Sequence, residues 1–181
     1  MLSESPTHLP AVRELVREYV LLPDAWAHRD GPPQSLPAMF ENEIAALPFP
    51  AQPPEGDIAM AIEDGQVFGT ALLVPFESAA AELKRLYVKP EMRGRGAGRV
   101  IVVALVEVAT ELGHRSVIID VMPSRTGAVD LYRSLGFAPT RAIRRYESHE
   151  ILFFELTLSA RDVRCRLPVN ESSTPDYERP S

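Results

Sequence analysis

Residues 88–100 read VKPEMRGRGAGRV, and positions 93–99 alone hold three arginines and three glycines. The stretch follows a strand-like run, AAELKRLYV (residues 80–88), and precedes a long apolar run, RVIVVALVEVATEL (residues 99–112). It therefore sits at a strand-to-helix junction. A helix start presents N–H groups without intrahelical partners and the positive end of the helix dipole. Anions settle there when the chain can come close, and Gly94, Gly96 and Gly98 carry no side chains to prevent it. Arg93, Arg95 and Arg99 add charge-assisted donors. A solvated loop has a similar composition, so the flanking pattern must decide.

Upstream, Val12, Leu15, Val16, Tyr19 and Val20 recur at helical spacing after Pro10. Residues 21–35 read as a loop. Ser35 is expected to cap a second helix bearing Leu36, Met39, Phe40, Ile44 and Leu47. The proline-rich PFPAQPPEG (residues 48–56) stops it. DIAMAIE (57–63) and VFGTALLVPF (67–76) flank Asp64-Gly65, the signature of an antiparallel hairpin, and AAELKRLYV makes a third strand. Residues 99–112 are rich in β-branched side chains. Their length, the spacing of Arg99, Glu107, Thr110 and Glu111, and the stop at Gly113 favour a helix. RSVIIDVMP (115–123) is a buried strand, TGAVDLYRSLGF (126–137) a helix and EILFFELTL (150–158) the last strand. The order predicts one layered α/β (α+β) domain over 1–158, followed by a polar, frayed tail over 159–181.

Bulk properties narrow the function. The 181 residues are 45% hydrophobic and carry a net charge of −6, which argues against nucleic acid or an anionic membrane as partner. No apolar run is long enough to span a bilayer, MLSESPTHLP lacks the pattern of a signal peptide, and one cysteine, Cys165, excludes an internal disulfide. A reduced, cytoplasmic protein is expected. The four histidines show no metal-ligand spacing, and no metal is expected. Against the acidic whole, Lys84, Arg85, Lys89, Arg93, Arg95 and Arg99 crowd one stretch, which suggests an anionic ligand there.

The turn lacks the Gly-Lys-Ser/Thr of a P-loop and the G-x-G-x-x-G of a dinucleotide site. Arg93-x-x-Gly96-x-Gly98 opening a long helix instead resembles the acyl-CoA-binding motif of the GNAT N-acetyltransferases. ELKRLYVKPEMRGRGAGR (82–99) resembles that family's fourth strand and pyrophosphate loop, and AVDLYRSLGF (128–137) its A-x-x-L-Y-x-x-x-G-F helix. The resemblance covers residues 58–158 well and the N-terminal helices loosely. It implies a mixed, mostly antiparallel central sheet flanked by helices and splayed between its fourth and fifth strands. Acetyl-CoA would be the acyl donor and a primary amine the acceptor. Backbone contacts to the pantetheine arm would come from Leu86 and Val88, and the pyrophosphate cradle from Arg93, Gly94, Arg95, Gly96, Ala97, Gly98 and Arg99. Two departures stand out: the family's first strand is short or missing, and Arg125 stands where many relatives carry Asn.

Leu83 and Leu86 lie three apart whereas Leu86 and Val88 lie two apart, so strict alternation cannot place all three on one face. An extra residue near Lys84–Arg85 would bulge the strand. Acetyl transfer to an amine needs a proton acceptor, a donor to the developing oxyanion and a proton for the leaving thiolate. Glu82 lies eleven residues before Arg93, the spacing of the base glutamate in the histone-acetylating branch of the family. The alternative is a carboxylate paired with Lys84 or Arg85. A bulged-strand N–H near Val88 is the expected oxyanion donor. Tyr132 matches the family's general acid, and the alternative there is core packing beside Ala128, Leu131 and Leu135. Trp26 and His28 are candidates for the acceptor pocket. An acyl-CoA sensor of the same fold without turnover, or another nucleotide-binding protein, stays open. An exposed final strand would support a homodimer.

Overall fold

The computed structural model describes residues 8–23, 35–144 and 150–159. Trp26, His28, residues 1–7, where the family's short or missing first strand would fall, and the tail beyond Ser159 lie outside these residues. Helix α1 (Leu9–Val20) buries Val12, Leu15, Val16 and Val20, the stripe that the sequence spacing predicts. Helix α2 (Ala38–Ala46) departs from expectation at its start, for Pro37 and not Ser35 occupies the cap position and no side chain caps it. Proline disfavours helical geometry in the residue before it, so the helix cannot begin upstream of Pro37. Met39 is 69% exposed, although expected on the apolar face. It lies about 100° around the helix from Phe40, which packs with Ile44.

Strands β1 (Asp57–Glu63), β2 (Gln66–Phe76) and β3 (Ala80–Val88) form an antiparallel meander, as read from the Asp64-Gly65 turn. Helix α3 (Ala97–Glu111) then crosses to β4 (Ser116–Val121), which runs parallel to β3. Its burial of Ile101, Val102, Leu105, Val108 and Ala109 outweighs the modest helix propensity of its valines. Gly113, at φ 84°, ends it. Helix α4 (Thr126–Ser134), a two-residue β5 (Ala138–Pro139) and β6 (Leu152–Thr157) complete the fold. The six strands lie in the order β1-β2-β3-β4-β6-β5. The final strand is thus not a bare edge, because Ala138 and Pro139 pair with Glu155 and Phe154.

Two apolar layers enclose the sheet. One packs α3 and α4 against Ala71, Leu73, Ala81, Leu83 and Ile119. The other packs α1 and α2 against Ile58, Leu72 and Val74. Strand β3 changes phase between them. Leu72 pairs with Lys84 and Thr70 with Tyr87, so Ala71 alone faces both Arg85 and Leu86. Arg85 takes a positive φ of 57° at this bulge. Leu83 before the bulge and Leu86 and Val88 after it all meet the α3–α4 layer, while Tyr87 turns to Leu15 of α1. Two hydrogen bonds to Glu43, at 2.6 and 2.8 Å, anchor the Arg85 guanidinium in its partly buried place. Burial by itself would raise the Glu43 carboxyl, but the hydrogen bonds and charge of Arg85, with Lys84, hold it below the ordinary range.

Pairing between β3 and β4 covers only Ala80–Ser116, Ala81–Val117 and Glu82–Ile118. Past Glu82 the two strands part. The sheet is splayed there, between the strands that correspond to the fourth and fifth of the family resemblance.

Candidate active site

The splay opens into a cleft of about 770 Å³ bounded by β3, the glycine turn and the start of α4. This volume lies within the range of small-molecule sites. The helix start at its end has Gly96 as cap residue, at φ 87°, with no side chain on the first-turn N–H groups. Gly94 is also left-handed, at φ 76°, a conformation that side chains resist. Arg93 and Arg99 line the cleft. Arg93 Nε donates to the Val88 carbonyl at 2.9 Å, and its guanidinium lies 5.7 Å from the Tyr87 ring centre. Arg99 donates to Ser134 Oγ at 3.0 Å and is exposed.

At its inner end the cleft meets a small pocket of about 40 Å³ between the parted strands, lined by Lys84, Arg85, Asp120, Val121 and Tyr132 among others. Tyr19, Leu86, Arg125 and Ala128 border both spaces and so ring the throat between them. Arg125 stacks 4.4 Å from the centre of the Tyr19 ring. Tyr132 is 4% exposed, and its ring tilts against Phe137 at 5.8 Å. Burial, more than the nearby Tyr19, pushes its hydroxyl well above the usual phenol range, partly opposed by the Arg125 charge. The phenol therefore keeps its proton at any physiological pH.

Residues 14–137 match the acetyltransferase (GNAT) family. The chain belongs to that family. An uncharacterised N-acetyltransferase of Schizosaccharomyces pombe is 31% identical over 125 residues, 66% of this chain and 77% of that protein. Among solved structures, the GNAT domain is similar to a ribosomal-protein-alanine N-acetyltransferase from Brucella melitensis. There the TM-score is 0.64 at 24% identity, over 83% of this chain and 94% of that one. The yncA protein of Salmonella typhimurium, solved with its cofactor acetyl-CoA, gives a TM-score of 0.63 at 21% identity, over 84% and 89% of the two chains.

Within the GNAT domain the residues singled out in the sequence fall into three groups. Leu86, Val88, Arg93, Gly94, Gly96, Ala97, Gly98 and Arg99 line the cleft together. Arg95 does not, because it is exposed and forms a two-point pair with Glu63 at 2.6 and 3.2 Å on β1. Glu82 sits at the last paired position before the splay, 3% exposed and on the face of α1 and α2. It pairs with neither Lys84 nor Arg85. Arg144 donates to its Oε2 at 2.8 Å, and its Oε1 is buried without a hydrogen-bond partner.

The sequence offers Asp120 only as a strand-end carboxylate and gives no functional signal at Tyr19 or Arg144. Tyr19 hid within the apolar stripe of α1, and Arg144 meets Glu82 across 62 positions, with no local signal. Arg125 was visible only as a departure from the family pattern. Among the described residues no cluster of His, Cys, Asp and Glu could hold a metal ion. None of the described helices is long and apolar enough to cross a membrane.

The glycine turn fits a pyrophosphate on steric grounds. A Cβ added at Gly94 or Gly96 meets no atom within 4 Å, so the space in front of them is open. At Gly98 it meets only Leu131 Cδ2, at an ordinary 3.5 Å, and the backbone there is helical. Valine at Gly98 should therefore leave the fold largely intact, and its methyl groups would obstruct a pyrophosphate bound at this turn, as the family resemblance implies. Gly98→Val is expected to weaken CoA binding by tenfold or more, about 1.4 kcal/mol. Calorimetric titration with CoA checks this, and an unchanged affinity in a folded Gly98→Val protein places the pyrophosphate elsewhere.

Proposed function

We propose that this protein transfers the acetyl group of acetyl-CoA directly to a primary amine, on a small molecule or a protein, within a ternary complex. The observation that carries the reading is the continuity of the glycine-capped cleft with the inner pocket. A donor held along β3 by Leu86 and Val88, with its pyrophosphate on 93–99, would end at the throat beside Tyr132. Bound there, acetyl-CoA supplies an activated thioester carbonyl. The chain's own residues supply the rest.

In this reading Arg93 and Arg99 bind phosphate charge, with Gly94, Gly96, Ala97 and Gly98 exposing backbone N–H groups. Arg95 contributes long-range charge only, since Glu63 holds it. The edge of β3 past Glu82 has no neighbouring strand and offers backbone donors to the pantetheine arm and to the carbonyl oxygen near Val88. Glu82, through its unpartnered oxygen, takes the proton of the incoming amine directly or through a water. Tyr132 holds a proton at its hydroxyl and gives it to the departing sulfur. The throat residues Tyr19 and Arg125 exclude water. The cytoplasm, as read from the sequence, is the compartment we assign.

Purified protein incubated with acetyl-labelled CoA and a broad panel of primary amines tests the reading. Labelled product from some amine is expected. Saturable CoA binding with no transfer to any amine would favour a non-catalytic acyl-CoA sensor of the same fold.

A further inference from the structure

The sheet face opposite α3 and α4 carries a bridge between two carboxylates. Glu82 on β3 and Asp120 on β4 both point away from the α3–α4 core layer, to which their neighbours Leu83 and Ile119 belong. Arg144 joins them, with Nη2 at 2.8 Å from Glu82 Oε2 and Nη1 at 3.7 Å from Asp120 Oδ2. Its guanidinium also stands 5.7 Å from the Phe76 ring centre. The Glu82 side chain is 4% exposed and Arg144 is 31% exposed, so the cation closes the mouth of a site whose floor is the carboxylate. Arg144 satisfies only one Glu82 oxygen, and a buried oxygen without a donor is costly. Asp120 also lines the inner pocket beside Tyr132, and Arg144 ties Glu82, which lines neither that pocket nor the cleft, to it.

We propose that Glu82 and Asp120 form the seat of the acceptor's ammonium group, and that Arg144 is its resident occupant, displaced when an acceptor binds. The proposal rests on the acetyltransferase reading and narrows the acceptor to amines that arrive protonated. An alkylamine, with pKa near ~10, is a cation at neutral pH, whereas an arylamine or a hydroxyl is not. Exchange of one cation for another keeps the buried Glu82 carboxylate compensated throughout. A neutral acceptor would have to leave Arg144 in place or strand the Glu82 charge. An ammonium carries three donors and can reach Glu82 Oε1, which Arg144 leaves unsatisfied. That contact aligns the proton to be lost with the oxygen that takes it.

The test compares wild type with Arg144→Ala and with Arg144→Gln, which keeps a donor near Glu82 should the alanine variant fold poorly. Butylamine and aniline serve as acceptors under saturating acetyl-CoA, and as ligands of the CoA-loaded protein by calorimetry. If Arg144 fills the seat about nine-tenths of the time, its removal should lower the butylamine KM and Kd about tenfold and leave those of aniline unmoved. Millimolar guanidinium chloride should then compete with butylamine in Arg144→Ala. Unchanged or weakened butylamine binding in both variants overturns the proposal, as does a slow Arg144→Ala enzyme whose rate guanidinium restores. Equal butylamine and aniline constants in wild type also overturn it. Tighter butylamine binding in the variants without transfer to any amine would sink the acetyltransferase reading and leave the seat standing.

Discussion

Tyr132→Phe is expected to slow the chemical step of acetyl transfer by about a hundredfold, with the acetyl-CoA KM little changed. General-acid catalysis contributes ~10²–10⁴-fold, and a thiolate departs tolerably without help, so the low end applies. The structure makes this substitution a clean probe. The hydroxyl makes no hydrogen bond to any described residue, so its removal leaves no buried partner stranded. Ring packing against Phe137 is untouched, and the cost in stability should stay within ~1 kcal/mol. The raised phenol means that wild type shows no loss of the acid across the accessible pH range. The defect should shrink with a thioester whose leaving thiol is more acidic. Single-turnover rates measure it, and a Tyr132→Phe rate equal to wild type would return the residue to packing alone.

Glu82→Gln should lower turnover by a comparable factor through the opposite end of the reaction. Glutamine keeps the length and one acceptor oxygen for Arg144 but cannot take a proton from the amine. The rate should fall about a hundredfold or more near neutral pH, with CoA affinity preserved. An alkylamine with pKa near ~10 is increasingly neutral as the pH rises, so the defect should narrow toward that value. The pH profile of kcat/KM for the amine checks this in wild type and variant. A Glu82→Gln enzyme as fast as wild type at every pH would leave Glu82 as the buried partner of Arg144 and no more.

The bulge was legible because three apolar residues, Leu83, Leu86 and Val88, cannot share a face under strict alternation, and the structure places the extra residue at Arg85–Leu86. Helix α3 was legible despite its valines, because length and polar spacing outweighed propensity. Both readings rest on periodicity, which a chain carries locally. What escaped depends on contacts between distant segments. Nothing near Glu82 announces that its charge is met by Arg144, and nothing in the glycine turn announces that Glu63 draws Arg95 aside. Ser35 has the chemistry of a cap, but Pro37 two residues on overrides that preference and sets the helix start. The two-residue β5 is too short to leave a pattern at all.

The phase change in β3 also bears on how this site can diverge. A point substitution in that strand alters one position and leaves the rest where they were. Loss of a single residue between Leu83 and Tyr87 would invert every position after it. Leu86 and Val88 would then face α1, and Tyr87 would turn into the α3–α4 layer. The strand thus tolerates changes of identity more readily than changes of length. A gap drawn at Lys84–Arg85 when this chain is aligned with a distant sequence is consequently a statement about geometry. The two sequences so aligned either lack a common cleft or have the gap in the wrong place.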